Sequence, residues 1–526
     1  MKRRLFVLTV VAALPVAALL APMAANAVSP AGGGPKAAST CAPVPVSAPQ
    51  GTEVEEVRAV ANAGGAISFP PAPPLPDHPP LAGVPAWCDI TVTVTHPGAA
   101  DKVTIKVSLP QDNKAWNGRF QATGGSAYLA GELLYPLVAG VKGGYATAAT
   151  DAGVGADPLD PSAWAGNPQL VKNFASRSMH DLAVVGKSVT KNFYGKAQFW
   201  SYWNGCSTGG RQGYSEAQNY PADFNGILAK APAIDWARFA VGTAWSQAVF
   251  NEYEVKPSPC ELEAFNTAAV KACDTLDGVP DGIVDVPQNC EWDARELVGA
   301  EVVCDGRTIT VTKAVADAVT RIWAGPKGYP GPNKGASLAF LATPGTPFFV
   351  SDAWVKFFVT RNPGYDLSKI DFKTFDKLYA ASVEQYDSVI GTDHANLGKF
   401  AASGGKLLTW HGQSDQLIPT DATVRYRERV NRIFGGNRTV DHFYRLFLVP
   451  GVDHCGASGP TISDTDALAA LTKWVEHGTE PKTLPAAGTS PTGVSVSHPV
   501  CSYPDVARWT GKGSVTAAAN YRCVRA

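Results

Sequence analysis

Beyond residue 27 the chain has no uncharged apolar run approaching the roughly 18 residues that a membrane-spanning helix needs, which excludes such a helix from the mature protein. Basic blocks are missing too. Lys and Arg number 45 against 46 Asp and Glu, a formal charge of −1 with no basic stretch standing out, which argues against nucleic acid as a partner. Neutral or weakly acidic substrates suit such a chain better.

What is present begins with an export signal. Lys2, Arg3 and Arg4 form a positive n-region, Leu5 to Leu20 an apolar stretch and Ala25-Asn26-Ala27 a small-residue cleavage site, so residues 1–27 read as a signal peptide. Its removal takes away three basic residues and leaves a formal charge of −4. Ten cysteines in an exported chain imply five bridges made in an oxidising compartment, and the expectation is a soluble, secreted protein. Nothing in the sequence specifies an oligomeric state.

Residues 28–80 are rich in Pro, Ala and Gly, and Pro70-Pro71-Ala72-Pro73-Pro74 is incompatible with regular helix or central strand. This segment reads as an extended strap, with a disordered leader as the alternative; Cys41 and Cys88 bracket it, and a bridge between them would tie it down. Ile90 to Thr95 and Val103 to Leu109 alternate apolar and polar residues around His96-Pro97-Gly98, the pattern of an antiparallel pair. Arg119 to Thr123 and Gly144 to Thr150 read as strands ending in glycine-rich loops. Arg177 to Phe193 carries a helical stripe of Met179, Leu182, Val185, Val189 and Phe193, stopped by Tyr194-Gly195.

Phe199 to Trp203 then leads into Gly205-Cys206-Ser207-Thr208-Gly209, the chain's only G-x-S-x-G, and Gly210 to Asn219 has helical composition. Strand, sharp turn and helix are the context of a nucleophile elbow, whose glycines leave room for neighbouring backbone. Hydrolases of the α/β type present Ser, then Asp or Glu, then His in chain order. Lys406 to Trp410 reads as a buried strand followed by a loop holding Asp415, the expected acid. Arg445 to Val449 reads as another, followed by the loop of Asp453-His454-Cys455, with His454 as the expected base. Asp453 competes with Asp415, but a residue adjacent to the base is badly placed to hold its Nδ1 proton. His411 and His180 compete with His454 and read as satisfied structural histidines.

Ser207 and His454 each stand beside a cysteine. If they meet within hydrogen-bond reach, the Cα atoms of Cys206 and Cys455 fall near the roughly 4.4 to 6.8 Å that a disulfide requires, so a bridge between them would hold nucleophile to base. A redox role for the pair is the rival reading, but they lack C-x-x-C spacing. Elbow geometry offers the Thr208 N–H and one N–H of the Gly124-Gly125 loop, with Gly125 preferred, as oxyanion donors.

Residues 234–389 separate the serine half (81–233) from the aspartate and histidine half (390–526) and read as an inserted lid. Within it Asp274, Asp277, Asp281 and Asp285 recur at intervals of three or four, which suits a cation. Numbering Asp277 as first in an EF-hand loop puts Asp281 fifth, Gly282 sixth and the Ile283 carbonyl seventh, but the twelfth position is Gln288, not Glu. The expectation is therefore a calcium loop of another kind, with a solvated series of Asp-Gly turns as the alternative. Lid aromatics such as Phe340, Phe348, Trp354 and Phe358 suit either a substrate slot or the lid's own core.

These motifs, with Trp116-Asn117-Gly118-Arg119-Phe120, Gly144-Tyr145-Ala146-Thr147, Arg177-Ser178-Met179-His180 and Asp223-Phe224-Asn225-Gly226, resemble the tannase and feruloyl esterase family over most of the mature chain. The family's triad lies in a Cys-Ser, Asp, His-Cys pattern with the two cysteines bridged. The resemblance implies an α/β fold, an α/β-hydrolase core with an inserted lid domain. It implies structural Ca2+ in the lid on Asp274, Asp277, Asp281 and the carbonyls of Val279 and Ile283, with Asp285 unassigned. It pairs Cys273 with Cys290 and Cys501 with Cys523, which leaves Cys260 for Cys304. The implied reaction is hydrolysis of aromatic-acid esters, first feruloyl esters of plant polysaccharide, then gallate esters, then a terephthalate monoester. An inactive calcium-stabilised binding protein is the rival from another class; it predicts damage to the triad or elbow, and both are intact.

Overall fold

The computed structural model describes residues 41–71 and 77–525. The signal peptide, residues 28–40 of the strap and its Pro73 and Pro74 lie outside the described residues. Nine strands form one sheet: β1 (Glu53–Asn62), β2 (Trp87–Thr95), β3 (Val103–Pro110), β4 (Arg119–Thr123), β5 (Ala146–Thr150), β6 (Trp200–Cys206), β7 (Gly226–Lys230), β8 (Lys406–Gly412) and β9 (Tyr444–Val449). Their order is β1-β2-β3-β5-β4-β6-β7-β8-β9, with β1, β2, β3 and β5 successively antiparallel and every pairing from β5 to β9 parallel.

Sequence composition follows that division. In β3 the side chains of Val103, Ile105, Val107 and Leu109 are buried while Thr104 and Lys106 lie nearer the surface, the alternation of a strand with one covered face. In β5 and β7 every residue is buried, because helices cover both faces of the parallel half. Helix α1 (Ser178–Tyr194) buries Met179, Leu182, Val185 and Val189 and ends at Gly195, whose φ of 65° is a left-handed stop. Helix α2 (Thr208–Asn219) follows β6 directly.

The strap is tied down by the expected bridge and adds a strand that the sequence reading did not include. It contains β1, a ten-residue edge strand paired along the whole of β2, and Cys41 is bridged to Cys88 in that same β2. The prolines draw attention away from the alternation of Val57, Ala59 and Ala61 in this segment, and pairing with β2 supplies what the composition does not. The remaining cysteines pair Cys206–Cys455, Cys260–Cys304, Cys273–Cys290 and Cys501–Cys523, as expected, and none is free among the described residues.

Between β7 and β8 the chain builds the insert from helices that include Pro259–Cys273, Lys313–Ala324 and Phe372–Ile390. One continuous buried cluster runs from the sheet into these helices. Tyr128, from the loop after β4, meets Trp164, Phe174, Trp236 and Phe358 at ring-centroid distances of 5.9 to 6.4 Å, and its hydroxyl donates to the Val350 carbonyl at 2.8 Å. Trp354 and Phe358 therefore belong to the insert's core, whereas Phe340 is half exposed beside Phe348. Helix α3 (Thr420–Phe434) lies between β8 and β9, and after β9 comes α4 (Asp464–His477), capped by Ser463 and stopped by Gly478. Two small antiparallel ribbons close the chain. Among the described residues no helix is long and apolar enough to cross a membrane.

Trp354 tests the insert's core. It is fully buried, stacks on Phe358 at 4.3 Å and donates its indole N–H to Ser382 Oγ at 2.8 Å. Trp354→Ala is expected to cost about 3 to 5 kcal/mol in denaturant unfolding, and Trp354→Phe distinctly less. Equal losses would mean that ring volume is not what holds the insert.

Candidate active site

Ser207 occupies the one-residue turn between β6 and α2 with φ 60° and ψ −120°, a backbone state that L-residues rarely hold. Its N–H donates to the Lys230 carbonyl at 3.0 Å and its carbonyl accepts from Ala233 and Arg211, so β7 and α2 clamp the turn. Glycine is obligatory around it. A Cβ on Gly205 would lie 2.5 Å from the Gly209 backbone, and one on Gly124 would lie 2.4 Å from Gly209 Cα.

Asp415 follows β8 and is 1% exposed. Its Oδ1 accepts the N–H groups of Leu417 and Ile418 at 2.9 and 2.8 Å; its Oδ2 accepts His454 Nδ1–H at 2.8 Å and His411 Nε2–H at 3.0 Å. Burial alone would raise this carboxyl, but the charge of His454 and hydrogen bonds from His411 and His454 outweigh it and hold the group well below the ordinary carboxylate range. Asp453 plays no such part, because Ser458 donates to its carboxylate from both N–H and hydroxyl at 2.7 and 2.8 Å. His180 is held by Asp223 at 2.5 Å and stacks on Tyr220, away from Asp415, as the structural reading expects.

The Cys206–Cys455 bridge brings the serine and histidine segments together, with Cα atoms 5.9 Å apart. Cys455 itself takes a left-handed φ of 58°, and the His454 N–H is pinned to Gln416 Oε1 at 3.0 Å, so the histidine turn is fixed at both its residues. Among the described residues Ser207 Oγ has no hydrogen-bond partner. The covalent link is thus what ties the two segments together.

One expected oxyanion donor is already engaged. The Gly125 N–H donates to Gln212 Oε1 at 3.0 Å, a side chain reaching back from α2. The Gly125 carbonyl accepts from Gly209 N–H at 2.9 Å and the Ala127 carbonyl from Thr208 Oγ1 at 2.7 Å, so this loop lies directly on the elbow with Ser126 between its two attachments. Among the described residues neither the Ser126 N–H nor the Thr208 N–H has an acceptor. Gln212, Gln416 and Ser126 carry no motif that singles them out in the sequence; only the folded turn shows what they do.

In the acidic loop Asp274 Oδ1 accepts the N–H groups of Asp281, Gly282 and Ile283 at 2.8 to 3.2 Å, Asp277 Oδ1 that of Val279 at 2.9 Å, and Asp281 Oδ1 that of Ile283 at 3.1 Å. Burial and the neighbouring charges of Asp277 and Asp274 push Asp281 up to about 7, and burial with Asp277 and Asp281 pushes Asp285 well above the usual range. Among the described residues no Lys or Arg forms an ion pair with any of the four. The donor chemistry fits a hard cation. Among the described residues, however, no three acidic, imidazole or thiolate groups already converge as a finished metal shell. The loop is also a junction: Gln413, two residues before Asp415, donates to the Asp285 carbonyl, and a Cβ on Gly451, in the turn before His454, would meet Ile283 at 2.7 Å.

A family model described as tannase and feruloyl esterase matches residues 88–346 and 339–524. The chain is 39% identical over 508 residues to a probable feruloyl esterase of Arthroderma benhamiae, covering 92% of this chain and 93% of that one. It is 31% identical to a probable feruloyl esterase B of Aspergillus clavatus, covering 86% and 90%. Among solved structures, feruloyl esterase B from Aspergillus oryzae superposes with a TM-score of 0.79 at 28% identity, covering 90% and 97%. Tannin acyl hydrolase from Aspergillus niger does so at 0.81 and 24%, covering 92% and 93%.

The bridge generates a prediction. Mild reductant is expected to lower hydrolytic activity at concentrations that leave the thermal unfolding midpoint in place, because the cut releases the histidine turn before the core loosens. Activity and melting falling in step would refute a local role for Cys206–Cys455.

Proposed function

The chain belongs to the tannase and feruloyl esterase family and is a carboxylic ester hydrolase, and on that premise we propose that it cleaves feruloyl and related hydroxycinnamoyl esters of plant polysaccharide through an acyl-enzyme on Ser207. The observation that supports the mechanism is the anchoring of His454 Nδ1 on buried Asp415 beside a bridge to the residue preceding Ser207. Ser207 Oγ attacks the ester carbonyl while His454 Nε2 takes its proton, and Asp415 stabilises the imidazolium. The oxyanion lies against the N–H groups of Thr208 and Ser126. Collapse expels the alcohol, which receives the proton from His454. Water, deprotonated by the same nitrogen, then releases the acid and restores Ser207.

The substrate choice rests on the likeness to proteins named probable feruloyl esterase over nine-tenths of the chain. A feruloyl ring needs an apolar slot that tolerates one methoxy group, whereas a gallate ring needs partners for three hydroxyls. The half-exposed Phe340 against Phe348 and Phe349 supplies apolar surface on the insert. Five disulfides accord with an extracellular enzyme, and the leader of residues 1–27 accords with its secretion. The acidic loop is read as a structural Ca2+ site on Asp274, Asp277, Asp281 and the carbonyls of Val279 and Ile283, where the ion would neutralise a concentration of negative charge and stiffen the insert.

Among methyl ferulate, methyl gallate and a terephthalate monoester, methyl ferulate is expected to give the highest kcat/KM, and Ser207→Ala to reduce kcat by about 10⁶ on each. Undiminished activity in the variant would overturn the mechanism, and preference for gallate the substrate assignment.

The loop predicts a pH effect of definite sign. Asp281 has an ordinary value of 3.8 and is pushed up to about 7 in the fold, so the metal-free fold holds this proton more tightly than the unfolded chain does. Its stabilisation is complete below about pH 4 and disappears as pH rises through about 7. Thermal melting with chelator should therefore show stability declining across that window, and added Ca2+ should remove the decline. Identical profiles with and without Ca2+ would favour solvated turns.

A further inference from the structure

Asp415 carries two histidines, and the reaction uses one. His411, the penultimate residue of β8, is fully buried and directs Nε2 at Asp415 Oδ2 from 3.0 Å; that same oxygen receives His454 Nδ1 at 2.8 Å. A carboxylate only accepts, so the proton of a neutral His411 ring sits on Nε2 and its Nδ1 is an acceptor. The acceptor is filled from α3, where the Thr423 hydroxyl lies 2.9 Å from Nδ1. The tautomer is therefore set on one side by the carboxylate and on the other by a hydroxyl.

The carboxylate is saturated by this arrangement. Leu417 and Ile418 occupy Oδ1, and the two rings occupy Oδ2. Without His411, Oδ2 would keep only the hydrogen bond to His454, and its full charge would act on that ring. The carboxylate would also lose one of the four contacts that oppose its rotation. A histidine serving only as packing would not need its ring aimed at the acid or its tautomer fixed by a threonine.

We propose that His411 is a positioning residue that acts on His454 through Asp415, holding the carboxylate in place and moderating the charge it presents to the base. This rests on the reading of Asp415 and His454 as acid and base. The nearby ionisable groups are Tyr329 of the insert, which feels the charge of Asp415 and whose phenol burial keeps protonated, and Asp421, Arg425 and Arg427, which flank Thr423 along α3. Arg425 pairs with Asp421 at the surface and Arg427 with Asp441, and none of these hydrogen-bonds His411. Asp415 is thus the ionisable group that His411 hydrogen-bonds, and His454 is reached through it.

The test compares His411→Leu, His411→Gln and Thr423→Val with wild type in full pH profiles on methyl ferulate, with Ser207→Ala and Asp415→Asn as references. His411→Leu is expected to lower kcat roughly 10- to 100-fold with KM within about twofold, because the interaction lost lies behind the base and not against the substrate. With one donor gone the acid faces His454 with more charge, so the acid limb of kcat/KM should move up by about half a pH unit. His411→Gln keeps an N–H at the ε position and should restore most of kcat. Thr423→Val, which leaves the ring in place but frees its tautomer, should move both readouts the same way by less. An acid limb that stays put or moves down in His411→Leu, or equal impairment of Leu and Gln variants with unchanged profiles, overturns the proposal. Full activity in Asp415→Asn would instead bring down the triad reading on which it stands.

Discussion

A carboxylate with 1% of its surface exposed is the constraint from which the rest of this active site follows. Removing such a charge from water costs several kcal/mol unless its lone pairs are all answered. Asp415 is answered by two amides of its own turn and by two histidines, one from the strand that delivers it and one from a loop 39 residues further on. The requirement for donors thus selects the backbone turn after β8 and the position of the His454 loop at once. It also explains why Asp453, nearer in sequence, has no part: its carboxylate is met by Ser458 at the surface.

The serine side is ruled by crowding where the acid side is ruled by charge. Gly124, Gly205 and Gly209 pack backbone on backbone, and the positive φ of Ser207 persists because β7, α2 and the loop after β4 all hold the turn by main-chain hydrogen bonds. A site made in this way needs its two halves brought into register from chain segments about 250 residues apart. The insert lies between them in sequence, and its acidic loop touches both triad loops, through Gln413 and through Gly451. Electrostatic repulsion within that loop is therefore not a private matter of the insert. If the loop opens, the segments that carry Asp415 and His454 lose neighbours together.

Much of this was legible in the residues. The pairing of Asp415 with His454 and the bridge beside Ser207 could be read because each residue stands in a short context with its own physical reason: glycines that permit a turn, strands that end in loops, cysteines beside the serine and the histidine. The failures have a common cause. Gly125 is a sound oxyanion donor until Gln212, one turn and more along α2, takes its N–H, and no spacing rule announces a side chain folding back onto a loop 87 residues earlier. The structural reading of His411 agrees with its burial and its hydroxyl partner, the ordinary state of a core histidine. Its second nitrogen, on the triad acid, is visible only once the turn between them is built. Strand β1 was hidden by the prolines that follow it, and its pairing depends on β2 offering an open edge. The spacing of the aspartates was plain, but the partners that make their loop a junction come from 128 to 211 residues away.

Bridge and carboxylate divide one task between them. In the loop-entropy model a cross-link across 249 residues is worth about 5 kcal/mol, an upper bound where other bridges already restrict the intervening chain. That stabilisation is spread over the whole unfolded ensemble, whereas the proposed mechanism depends on the distance between one oxygen and one nitrogen. The bridge limits where the backbones of Ser207 and His454 can lie but leaves the imidazole free to turn about its side-chain torsions. Orientation has to come from a fixed acceptor, and Asp415 is a fixed acceptor only while its other contacts are made. The disulfide therefore sets the distance and the hydrogen-bonded carboxylate sets the angle, and neither can stand in for the other.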